Sequence, residues 1–108
     1  MKALLLTIAA AGSMLVASQS YAADADAAKA LAQKSGCLAC HSVDKAVLGP
    51  AYKDVAAKYK GDASAEAKLV AKVKSGGSGV WGKNPMPPMG GQVKDADIKT
   101  IVQWVLSL

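Results

Sequence analysis

Residues 37–41, Cys-Leu-Ala-Cys-His, place two thiols three positions apart and an imidazole immediately after the second. This is the pattern by which a haem is attached covalently through its two vinyl groups, with the adjacent histidine turned toward the iron. On that reading Cys37 and Cys40 form thioethers and His41 is the proximal axial ligand. The pentapeptide admits two other chemistries. A Cys-x-x-Cys pair also serves thiol-disulfide exchange, but it then belongs to a fold in which strands alternate with helices, and no period-two run of strand length is present. Half of a zinc site is the third option. With only two cysteines and one histidine in the chain, its fourth ligand would have to be a carboxylate or come from another molecule.

A second chemically suggestive stretch spans residues 76–91, Gly-Gly-Ser-Gly-Val-Trp-Gly-Lys-Asn-Pro-Met-Pro-Pro-Met-Gly-Gly. It is long and irregular for a connection inside a small domain, which points to a functional loop. Met86 lies between Pro85 and Pro87. Each proline fixes its own φ and drives the residue before it toward extended conformations, so Met86 has little backbone freedom to lose when its sulfur is held at a metal. Met86 is therefore the expected second axial ligand, with Met89 the fallback and core packing the plain alternative. Trp81 suits packing on a haem edge with its N–H toward a propionate, or an ordinary place in the core. Gly49-Pro50 follows the motif by eight residues. The Pro50 carbonyl could accept the second N–H of a metal-bound imidazole, or the pair could be a simple turn.

The elements that must position these residues are helical. Residues 24–35 carry Asp24 and Asp26 at the end favoured by the helix dipole and the helix formers Ala27, Ala28, Ala30 and Ala32, with Lys34 then Gly36 marking the stop. In residues 52–59, Tyr52, Val55, Ala56 and Tyr59 share one face. Ser64 is the expected N-cap of a third helix running to Lys74 and ending at Ser75-Gly76-Gly77. In the last, 95–107, Asp95 is the expected cap, and Ile98, Ile101, Val102, Val105 and Leu106 form a broad apolar stripe with Trp104 beside it. An alanine-rich first helix and an apolar last helix should cross in contact.

Composition bounds the rest. Lys2, an apolar run from Leu4 to Val16 and Ser20-Tyr21-Ala22 read as a secretory leader over residues 1–22, too short to span a bilayer. Residues 23–108 are then one exported domain, near the size at which a core becomes self-sufficient. Phe is absent and only two Trp are present, so the usual large fillers are missing. A covalent porphyrin would supply that apolar bulk. All 13 basic residues are lysine, against 8 acids. No basic block of nucleic-acid type occurs, and the excess suits solvated faces and steering toward an acidic partner.

These segments together resemble the small bacterial class I cytochromes c of the c-551/c-552 (c8) type. The likeness runs through Lys34-Ser35-Gly36-Cys37 to His41, Val47-Leu48-Gly49-Pro50-Ala51-Tyr52-Lys53-Asp54-Val55-Ala56, Gly79-Val80-Trp81-Gly82, Pro85-Met86-Pro87-Pro88 and Trp104-Val105-Leu106. It implies an all-α class I cytochrome c fold, about four helices around one covalently bound haem c with the terminal helices crossing. It further implies axial ligation by His41 and Met86, a Pro50 carbonyl holding the His41 ring, and Trp81 with Lys72 at a propionate. Two positions depart from the pattern: Ala32 stands where a bulky aromatic is common, and Met89 where an asparagine often follows the Met-Pro-Pro run.

The function implied is a periplasmic, monomeric electron carrier, without stable membrane insertion or nucleic-acid binding. It would serve respiration or denitrification between a donor such as a cytochrome bc1-type complex and an acceptor such as nitrite reductase or a terminal oxidase. With both axial sites filled there is no place for a substrate, so catalysis is not expected. The competing functions are a five-coordinate haem protein that binds gas or peroxide, and a thiol-disulfide oxidoreductase. Lys45, Lys53, Lys72, Lys74 and Lys83 are the candidates for a positive docking rim.

Overall fold

The computed structural model describes residues 21–108. Apart from its last two residues, the leader expected over 1–22 lies outside that range. Among the described residues there are four α-helices and no strand: α1 (Tyr21–Lys34), α2 (Tyr52–Lys58), α3 (Ala65–Ser75) and α4 (Asp95–Leu106), with a 3₁₀ turn over Cys37–Ala39. The sole β feature among them is an isolated antiparallel bridge between Gly77 and Met86. None of the described helices is long and apolar enough to cross a membrane.

α4 is the element against which α1, α2 and α3 all pack. The reason lies in its stripe: Ile98, Ile101, Val102, Trp104 and Val105 are all buried, and their spacing gives α4 apolar contact over a wide arc. One end of the stripe meets α1 and α2, where Ala28 and Ala32 join Tyr52, Val55, Ile101, Trp104 and Val105. The other end meets α3, where Val93, Ile98 and Val102 collect Leu69, Val70, Val73 and Met89 around them. Ala32 is fully buried in the cluster that contains Trp104. A small side chain at that point lets α1 and α4 approach closely, so the missing aromatic leaves a tight helix contact.

Two helix starts differ from expectation. Ser64 makes no side-chain cap for α3. Asp62 does the work instead, its Oδ1 accepting from the Ser64 N–H at 2.9 Å and from the Ser64 hydroxyl at 2.6 Å, while Oδ2 accepts from Lys68 Nζ at 3.1 Å. Asp competes as well as Ser for such backbone donors, and its charge also suits a helix start. Asp95 is the first residue inside α4, with Lys94 at the cap position, and its carboxylate is taken by Lys74 of α3 at 3.0 Å. The ends of α1 and α3 follow the glycine signals. Gly36 adopts φ 82° directly after α1, a left-handed conformation that residues with a Cβ resist.

The Ser64 and Lys68 contacts hold the Asp62 carboxyl down at about 2. A group with a depressed folded-state pKa stabilises the fold above the ordinary carboxylate range and ceases to do so as pH falls through its folded value. Asp62→Asn should therefore melt below the wild type at neutral pH. The gap in melting temperature should close between about pH 4 and pH 2; a gap constant over that window in calorimetry would contradict the assignment.

Candidate functional site

The turn that follows α1 sets the two thiols. In a 3₁₀ helix residues three apart eclipse one another, so Cys37 and Cys40 project on one side, and the N–H groups of Cys40 and His41 both donate to the Cys37 carbonyl, at 3.3 and 3.0 Å. Both cysteines are half-buried and not joined to each other by a disulfide. Burial pushes the Cys37 thiol up, opposed in smaller measure by a hydrogen bond with Tyr52.

His41 is held on three sides. Its Nδ1 lies 2.8 Å from the Pro50 carbonyl oxygen; a carbonyl only accepts, so Nδ1 is the donor, and in the neutral tautomer this selects, the lone pair is on Nε2. Gly49 packs directly under the ring, where a Cβ would collide with the imidazole. Tyr52 stacks on the ring, with centroids 4.8 Å apart and 19° between planes. Tyr52 in turn meets Trp104 edge-on at 5.6 Å, which anchors the stack in the core. Burial, with a smaller contribution from nearby Cys37, holds the Tyr52 phenol well above its usual range. Its hydroxyl thus stays neutral beside the histidine. The backbone supports this arrangement: the Gly49 N–H donates to the Cys40 carbonyl at 2.8 Å, and those of Tyr52 and Lys53 donate to Ser42 and Val43.

The loop after α3 is equally tied. Gly77 and Met86 exchange both backbone hydrogen bonds, at 3.0 and 2.8 Å. The Met89 and Gly90 N–H groups then return to the Val73 and Lys74 carbonyls, which would otherwise be orphaned at the C-terminal end of α3. Gly76 is needed there, because a Cβ would strike the Met86 backbone.

A cavity of about 310 Å³ joins these parts, within the usual size of small-molecule sites. Cys37, Cys40, His41, Pro50, Lys72, Trp81 and Met86, all singled out in the sequence, line it together. The apolar stripe of α4 supplies Ile98, Ile101, Val102 and Val105 to its lining. Two thiols on one side of a turn, an imidazole with a free Nε2, a thioether and a mostly apolar lining form a donor set that fits a flat hydrophobic iron porphyrin. Met89 also reaches the cavity but packs into the cluster around Ile98. Trp81 is 44% exposed, with Lys58 Nζ 5.5 Å from its ring centroid. Lys72 leans over Gly77, where a Cβ would lie 3.0 Å from Nζ.

The expected lysine rim is thinner than its residue count. Lys53 pairs with Asp44 at 2.6 Å and Lys74 with Asp95 at 3.0 Å, leaving Lys45, Lys72 and Lys83 of the five without an ion pair among the described residues. Lys58, beside Trp81, was not among the candidates. The exposed apolar residues Val47, Leu48, Val80 and Trp81 occur in the two loops at the cavity. Sequence reasoning also passed over the stacking role of Tyr52, whose only visible signal was its place on the apolar face of α2. It likewise passed over Asn84, whose amide donates to the Leu48 carbonyl at 3.1 Å.

Comparison with known proteins agrees with this geometry. The family model for cytochrome c matches residues 25–108. The chain is 64% identical over 78 residues to cytochrome c-551 of Allochromatium vinosum, covering 72% of this chain and 82% of that protein. It is 48% identical over 108 residues to cytochrome c-552 of Nitrosomonas europaea, covering 100% and 99%. The crystal structure of the wild-type Nitrosomonas europaea cytochrome c552 superposes with a TM-score of 0.71 at 50% identity, over 74% of this chain and 98% of that one.

Gly49→Ala should force the His41 ring from its seat, since the added methyl meets an imidazole already bonded and stacked in place. The expected result is a melting temperature several degrees lower, from about 1–3 kcal/mol of overpacking, with loss of the slowly exchanging His41 Nδ1 proton in the NMR spectrum. An unchanged Nδ1 proton signal would refute the close packing.

Proposed function

Because the chain belongs to the cytochrome c family and carries one covalently bound haem c, we propose that Cys37 and Cys40 anchor that haem by thioethers, that His41 and Met86 are its axial ligands, and that the protein is a periplasmic electron carrier. The observation that carries the assignment is the His41 to Pro50 hydrogen bond, inside a cavity shared with both cysteines and Met86. When bound, the haem supplies a one-electron couple between ferric and ferrous iron.

The residues account for the use made of it. Proton donation from Nδ1 to Pro50 commits Nε2 to the metal and raises its basicity. The Met86 thioether is a soft donor that favours the reduced ion, which sets a comparatively high potential. Prolines on both sides of Met86, together with the Gly77 pairing, restrain the backbone that carries that sulfur, so it would hold the haem with little rearrangement when an electron is exchanged. Tyr52 and the α4 stripe give the cavity an apolar wall, beside which charge changes would be poorly screened. Met86, rather than Met89, is favoured because Met89 serves the core around Ile98. Trp81 and Lys72, both at the cavity, suit the propionates.

Electrons exchange with redox partners of the respiratory or denitrification kind, a bc1-type donor and a nitrite reductase or oxidase acceptor. Val47, Leu48, Val80 and Trp81 are exposed in the two loops that carry Lys45 and Lys83, with Lys58 over Trp81 and Lys72 in the cavity lining, a combination that suits brief docking on an acidic surface with an apolar centre. The leader over residues 1–22 supplies export.

Met86→Ala holoprotein should lose the red-region sulfur-to-iron absorption band, and its ferrous form should bind carbon monoxide, which the wild type should refuse. A wild type that bound carbon monoxide readily would favour the five-coordinate alternative. Lys83→Glu should slow association with an acidic redox partner several-fold at low salt and little at high salt; rates of both proteins that ignore ionic strength would remove the steering role.

A further inference from the structure

The residues that reach the cavity from its two loops come from distant parts of the chain. The segment after His41 holds Gly49 and Pro50 against the imidazole, and is itself bound to the motif through the Gly49 N–H and Cys40 carbonyl. The segment after α3 carries Met86, paired to Gly77. Asn84 lies two residues before Met86, and its side-chain amide reaches across to the Leu48 carbonyl at 3.1 Å, over a sequence separation of 36. Among the described residues this is the one hydrogen bond between residues 42–51 and residues 76–91. Both ends of it line the cavity.

We propose that Asn84 is a positioning residue: its amide clasps the Met86 loop to the histidine-side loop and limits how often Met86 swings away from the cavity. The bond is placed to act this way because the single residue between Asn84 and Met86 is Pro85, whose ring fixes its own φ and restricts Asn84, so a restraint on Asn84 is transmitted to the methionine. Leu48 immediately precedes Gly49, whose N–H is bonded to the Cys40 carbonyl and whose backbone seats the imidazole. The clasp therefore couples the two axial sides through the backbone, with no direct contact between their side chains required. Asn84 is exposed, in a loop outside the four helices. Removing its amide should change loop opening while leaving the fold intact.

The inference rests on Met86 being an axial ligand for its spectroscopic consequence, but not for its structural one, and the test separates the two. Holoprotein with Asn84→Leu, which keeps the bulk and loses the donor, is compared with Asn84→Ala and wild type. Amide hydrogen exchange at Met86 and Gly77 should be about three- to tenfold faster in both variants, the range expected for loss of one net hydrogen bond. Exchange within α4 should be unchanged. Displacement of Met86 by added imidazole in the ferric protein, followed by loss of the red-region band, should accelerate by a similar factor. Unaltered amide exchange and unaltered imidazole kinetics in both variants would overturn the proposal. If the wild type lacks the red-region band, Met86 ligation fails instead, and the exchange rates alone decide for or against the clasp.

Discussion

A proton shared between His41 Nδ1 and the Pro50 carbonyl is the constraint on which the arrangement turns. It decides which imidazole nitrogen is free, and it fixes the ring in one plane. That bond is possible only because the chain reverses between residues 41 and 50 and brings a proline, which has no N–H to compete, back against the histidine. Gly49 makes the approach possible by having no side chain. Tyr52, at the start of α2, closes the third side. One short loop and the first residue of one helix thus hold the imidazole in a single orientation.

The rest of the domain extends that preparation. α4 acts as the common surface for three helices, and the same apolar stripe that binds them also lines the cavity. In a chain without phenylalanine, the interior has two small apolar clusters, one on each half of that stripe, with the cavity opening between them. A covalently held porphyrin is the remaining large apolar body such a core requires. This makes fold and function inseparable here: what fills the centre is what carries the electron.

Much of this was legible from sequence because the decisive signals are local. The Cys37, Cys40, His41 spacing, the proline fence around Met86 and the period of Ile98, Ile101, Val102 and Val105 each lie within a dozen residues. What could not be read depends on the third dimension. Ser64 and Asp62 both have the chemistry of a cap, and only the path of the chain selects Asp62. Asp95 looks like a cap until Lys74, from another helix, claims its carboxylate. Nothing in the local sequence says that Gly49 must be bare because the His41 imidazole lies against it. The lysine rim was overestimated because Asp44 and Asp95 sit unseen beside Lys53 and Lys74. Stacking of Tyr52 on His41 and the reach of Asn84 to Leu48 connect residues with no sequence pattern to link them.

The account stands or falls on a porphyrin clamped between His41 and Met86. The proton NMR spectrum of the ferrous, diamagnetic holoprotein tests it most directly, because a methionine methyl held over the porphyrin face is shifted far upfield by the ring current. The account predicts one such three-proton resonance, assigned to Met86, with the Met89 methyl near the ordinary range. An upfield methyl belonging to Met89, or none at all, would contradict it.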